Sequence, residues 1–153
     1  MLDTLRETTR RIKELKKAKD LCINRDNVYS AELDDCIIPV LREMAKRSFT
    51  VVPVLKNGAV FGAFSENTLL TYLIENEMTG FKEGNTLRVV EHLLPIENHG
   101  SESFKFVKEA LPALSIAKMF SETNNNQNRL GMIFVTKYGG EEEALLGILL
   151  ASA

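Results

Sequence analysis

Two histidines, two cysteines and a serine set before an apolar run are the residues of this chain whose types and spacing invite a chemical reading. His92 and His99 stand seven residues apart on either side of Pro95, with Glu91 and Glu97 close by. A metal site needs three or four such side chains converging on one point, which a short helix running into a loop rarely delivers, so no metal is expected. Cys22 and Cys36 are too few for a disulfide framework or a structural zinc site. Each has aliphatic neighbours, Leu21 and Ile23 or Ile37 and Ile38, so both are expected to be buried free thiols in a reducing, cytoplasmic compartment. Ser65 precedes Leu69, Leu70, Leu73 and Ile74, where a hydroxyl would cap the start of a helix. Glu141, Glu142 and Glu143 are read as the solvated tip of a hairpin rather than a magnesium site. The chain contains no G-x-S-x-G, P-loop, G-x-G-x-x-G or H-E-x-x-H spelling. No enzyme is expected.

Charge and length narrow the classes further. Nineteen Lys and Arg against 21 Asp and Glu leave a net charge of −2 over 153 residues, too balanced for a dedicated nucleic-acid binder. A chain of this length buries roughly 70% of its unfolded surface and needs neither disulfide nor metal to fold. No apolar run reaches the roughly 18 residues of a membrane helix, and the charged opening (Arg6, Glu7, Arg10, Arg11) does not resemble a secretion signal. Residues 2–20 read as an amphipathic helix with Leu2, Leu5, Ile12 and Leu15 on one stripe. That helix carries net +3, which leaves −5 for the remainder.

The elements that must position these residues occur twice. A strand at Val28-Tyr29-Ser30 leads to a helix from Cys36 to Lys46, capped by Asp35, with Ile37, Val40, Leu41 and Met44 facing inward. A strand from Phe49 to Val54 turns through Asn57-Gly58, a pair suited to positive φ, into a partner strand from Ala59 to Phe64. The helix opening at Ser65 follows. After a connector from Gly80 to Asn85 the order repeats. A strand at Phe104–Val107 comes first, then Pro112 and a helix bearing Leu114, Ile116, Ala117, Met119 and Phe120. A polar loop spans Thr123–Asn128, a strand runs from Leu130 to Val135, a turn lies at Gly139-Gly140, and the last strand is Ala144–Leu150. The expected class is α+β, with small mixed or antiparallel sheets. The expected division is a helix at 1–18, one module at 19–79 and a second at 80–153.

The repeat resembles the cystathionine β-synthase (CBS) domain in tandem, the Bateman module, over roughly residues 19–153. The likeness is carried by the helix from Asp35 to Met44, the strand Phe49-Thr50-Val51-Val52-Pro53-Val54, and the segment from Asn57-Gly58 through Phe61-Gly62-Ala63-Phe64-Ser65. The second copy keeps Leu145-Leu146-Gly147-Ile148-Leu149. The resemblance implies two modules in a pseudo-two-fold arrangement, often doubled into a homodimer. It also implies a cleft between the two modules that takes an adenosine-containing ligand such as AMP, ATP or S-adenosylmethionine. On that footing the ligand residues are Tyr29 and Ser30 on the lead strand, and Phe49, Thr50, Val51 and Pro53 around the base. Ser65 would meet a phosphate or ribose oxygen, with Thr68 nearby. Thr68 stands where the family's nucleotide-binding copies carry an Asp for the ribose hydroxyls; in the second copy the two positions are Leu150 and Ala153. A threonine hydroxyl does not replace a carboxylate that accepts two charge-assisted bonds. The second copy is expected to lack its closing helix.

Two function classes follow. One is a sensor that binds an adenosine-containing ligand without any required cofactor and signals in trans to a protein partner. The other is a ligand-free interaction protein that uses the paired fold for oligomerisation. Neither class involves a membrane or nucleic acid.

Overall fold

The computed structural model describes residues 16–100, 102–123 and 129–150. The fold is α+β, in two compact units. One holds residues 29–103; the other combines the described residues through Val28 with those from 104 onward. The sequence repeat follows the chain, whereas these units follow contact, so their limits differ from the 19–79 and 80–153 division.

The unit of residues 29–103 is built around α2 (Ile37–Arg47), a hairpin of β2 (Val51–Lys56) and β3 (Ala59–Ser65), and α3 (Glu66–Glu75). Asn57 and Gly58 both have positive φ (53° and 82°), the geometry that lets a two-residue turn follow the twist of the strands. The ladder runs from Val51 opposite Ser65 to Lys56 opposite Ala59, with a register shift between Val54 and Leu55. The expected strand at 28–30 is reduced to a single parallel bridge between Ala31 and Val54, made by Ala31 N–H donating to Pro53 O (2.9 Å) and Leu55 N–H donating to Ala31 O (2.8 Å).

Asp35 does not cap α2. Its carboxylate instead accepts from Glu32 N–H at 2.8 Å and closes the preceding turn. The helix N-cap is Cys36, and the first helical amide, on Ile37, is satisfied by the Asn85 carbonyl at 2.9 Å. Cys36 is therefore exposed at a helix end rather than buried. Ser48 ends the helix in the left-handed conformation (φ 58°). Ile37, Val40 and Met44 face inward as expected and meet Val52, Val54 and Phe64 from the hairpin. Leu87, Val90 and Leu94, contributed by a 3-10 segment (Leu87–Leu93) and the residue after it, complete that core. On α3, Leu70 and Ile74 are exposed, contrary to the sequence reading, because Thr68, Leu69 and Tyr72 face the core side instead.

In the other unit, α1 (Ala18–Leu21) precedes β1 (Ile23–Asn24), and β4 (Glu102–Lys108, which enters this unit at Phe104), α4 (Ala113–Thr123), β5 (Arg129–Thr136) and β6 (Gly147–Leu149) follow in chain order. The sheet order is β1-β6-β5-β4, with β6 antiparallel to both β1 and β5. Of the helix expected over 2–20, Ala18–Leu21 are helical, whereas Lys17 is extended and bridges to Pro112; residues 2–15 of that expectation lie outside the described residues. The last strand is shorter than read, three residues rather than seven. Cys22 is half-buried, and burial raises its thiol pKa. Ile116 packs into the core with Ala18, Ile133 and Val135, while Leu114 and Ala117 face out. Of the expected polar loop, residues 124–128 lie outside the described residues. Glu141 and Glu142 are exposed as expected, while the half-buried Glu143 folds back to accept from Tyr138 N–H (2.8 Å) and Gly140 N–H, locking the turn at Gly139 (φ 87°).

Candidate functional site

The corner where β3 becomes α3 organises the site. Ser65 ends the strand in an extended conformation (φ −124°, ψ 172°) and caps the helix. Thr68 N–H donates to Ser65 Oγ (3.2 Å), Ser65 N–H donates to Thr68 Oγ1 (3.0 Å), and the two hydroxyl oxygens lie 3.2 Å apart. This reciprocal capping box satisfies two backbone donors that would otherwise be orphaned at the helix start. Ser65 and Thr68 are 1% and 3% exposed, so each hydroxyl is committed to its neighbour in a buried setting.

Two clefts open on either side of this corner. The first, of about 470 Å³, is walled by Phe49, Thr50 and Ser65 together with Met44, Phe64 and Leu69. It is largely apolar. Outside its lining, Tyr29 stacks on Phe49 at 6.3 Å, and the Arg47 guanidinium lies over both rings (5.5 and 5.9 Å) while pairing with Glu43 at 2.9 Å. Burial and then the nearby Glu43 and Asp35 carboxylates push the Tyr29 hydroxyl pKa up, against the lowering effect of Arg47.

The second cleft, of about 360 Å³, has Leu70, Ile74 and Leu93 as its apolar part and Asn67, Thr68, Thr71, Asn98, His99 and Glu102 as its polar part. Several of these groups are held. Asn67 Nδ2 donates to Glu102 Oε1 at 3.1 Å. Asn98 Nδ2 donates to the His92 carbonyl at 2.8 Å, and His99 Nε2 donates to the Leu94 carbonyl at 3.1 Å. The same Leu94 carbonyl accepts from Ala63 N–H at 2.9 Å, tying this segment to β3. His92 pairs with Glu75 at 3.0 Å, so the two histidines make separate contacts and do not converge on a metal. Among the described residues no cluster of three or more His, Cys, Asp or Glu is placed to hold one.

The chain superposes on several solved structures. It is similar to CBSX2 in complex with AMP, at 17% identity and a TM-score of 0.60 over 88% of this chain and 90% of that one. The CBS-containing hemolysin-like protein of Oenococcus oeni PSU aligns at 14% identity and a TM-score of 0.58, over 94% and 90% of the two chains. The chain has the fold of a CBS-domain pair. The CBS domain of a bacterial CNNM/CorC family Mg2+ transporter, solved in complex with ATP, is likewise similar, at 17% identity and a TM-score of 0.59 over 94% and 87%. No protein-family model and no curated protein sequence matches the chain.

Within this CBS fold the eight residues named from the sequence do not line one cleft. Phe49, Thr50 and Ser65 share the apolar cleft, with Tyr29 stacked beside it, while Thr68 lines the polar one. Val51 and Pro53 are buried within β2, where the Pro53 carbonyl accepts from Ala31 N–H, and Ser30 is half-buried just before that bridge. Asn67, Asn98 and Glu102 are not among the sequence candidates, and His99 enters there only as a rejected metal ligand. They come from the helix start and from the lead-in to β4, and only folding joins segments about 30 residues apart. Their polar character between two apolar stretches was the available signal.

Proposed function

We propose that this chain is a regulatory module that binds an adenosine-containing ligand in the polar cleft beside Thr68 and reports its presence to a protein partner in trans. The observation that carries this reading is the cleft itself, where amide, hydroxyl, imidazole and carboxylate groups converge beside an apolar patch formed by Leu70, Ile74 and Leu93. Its volume of about 360 Å³ lies in the range of small-molecule sites. A flat purine would cover the apolar patch, and the sugar would meet the polar rim. The similar structures solved with AMP and with ATP support the ligand class. The module works without catalysis and without a required cofactor, as a homodimer in the cytoplasm, with 19–79 and 80–153 as its repeated modules. No helix among the described residues is long and apolar enough to cross a membrane.

A second reading is a ligand-free interaction protein that keeps the paired fold for oligomerisation. It is favoured by one observation: the Ser65 and Thr68 hydroxyls are spent on each other. Calorimetry and thermal shift with AMP, ATP and S-adenosylmethionine separate the two. Saturable heat and a raised midpoint with at least one of them support the sensor, whereas no response at millimolar concentration supports the interaction protein.

A further inference from the structure

We propose that Glu102 is the ribose-recognising group of this chain, accepting hydrogen bonds from the 2′- and 3′-hydroxyls of the ligand and so restricting the site to ribosides over deoxyribosides. The proposal rests on the adenosine-ligand reading above. Position 68, facing the same cleft, is a threonine whose hydroxyl is already bound to Ser65. The carboxylate of this cleft comes instead from the first residue of β4.

Glu102 is half-buried at the cleft rim, and its Oε1 is anchored by Asn67 Nδ2 at 3.1 Å. That bond fixes the carboxylate plane relative to α3 without exhausting it, because an ionised carboxylate offers about four acceptor positions on two oxygens. A cis-diol presents two adjacent O–H donors at a spacing that suits one carboxylate, and such bonds are strengthened by the acceptor's charge. The remaining polar groups are less suited to the task. Asn98 and His99 direct their donors to backbone carbonyls, and a second donor array would not satisfy a diol that itself donates. The anchoring residue also lies in the first turn of α3, next to Thr68, so helix start and sugar would be held as one assembly.

The test titrates the full-length protein with adenosine and with 2′-deoxyadenosine, followed by calorimetry or by ligand-observed magnetic resonance. Wild type should prefer adenosine by about tenfold or more, the penalty expected when a charged acceptor loses a donor. Glu102→Gln, isosteric and on the rim, should bind the two nucleosides within about twofold of each other while keeping the wild-type melting temperature. Equal binding of the two nucleosides by wild type overturns the proposal, as does a Glu102→Gln variant that retains the preference. Either result, with AMP, ATP or S-adenosylmethionine still binding, leaves the sensor reading standing. Absence of binding by all of these compounds removes both.

Discussion

At the scale of single residues, Ser65 and Thr68 decide how the candidate site is built. Their reciprocal hydrogen bonds are buried, so removing one partner leaves a backbone amide unsatisfied at the start of α3. Ser65→Ala is expected to cost about 1–2 kcal/mol and to lower the melting temperature by a few degrees, measured by circular dichroism. An unchanged midpoint would show that the cap contributes nothing. The capping serine was legible in the sequence, because a hydroxyl directly before an apolar run has few other structural roles. Glu102 was not, because its importance depends on meeting Asn67, which no local pattern encodes. The same limit explains Cys36, whose aliphatic neighbours suggested burial although it sits at the exposed N-cap of α2. Electrostatics beyond the site are modest. Arg88 donates to Asp34 at 2.6 Å and, by that hydrogen bond first and its charge second, holds the Asp34 carboxyl below its ordinary pKa. A depressed carboxyl pKa favours the fold above its unfolded value and loses that contribution as pH falls through the folded one. Both groups are solvent-exposed, so this acid-side contribution is small and screened by salt.

At the scale of elements, the β2–β3 hairpin is the part that the sequence specified best. Asn57-Gly58 dictates the turn, and the turn dictates the register. Gly62 reflects a tertiary demand rather than a local one. A Cβ there would collide with the Leu94 carbonyl, which bonds to Ala63 N–H and to His99. Gly62→Ala is therefore expected to destabilise by about 2 kcal/mol or more, through strain and loss of the 94–99 anchor. Chemical denaturation reads this directly, and a variant as stable as wild type would contradict the close approach. Helices were less legible. Both α3 and α4 are apolar on more than one face, so periodicity alone could not tell that Leu70, Ile74 and Leu114 point outward.

At the scale of the whole molecule, the CBS resemblance was legible in the sequence and the fold bears it out, whereas the strand–helix–strand–strand order is complete only in the second copy, the lead strand of the first being reduced to the bridge at Ala31. What the repeat did not disclose is that the unit with β5 and β6 draws on residues 18–24. Ala18 is fully buried in its core, and β1 pairs with β6. A protein lacking residues 1–27 should lose amide protection across β5 and β6 in hydrogen exchange while keeping it in the β2–β3 hairpin, since exchange reports local stability. Unchanged protection in β6 would refute that dependence. An adenosine-containing ligand in the polar cleft of residues 67–102 is the core of the proposed function. The most direct measurement is a crystal structure grown with AMP at saturating concentration. Purine density over Leu70 and Leu93, with the ribose at Glu102, is the expected result. A cleft that stays empty, or a purine bound elsewhere on the chain, would contradict it.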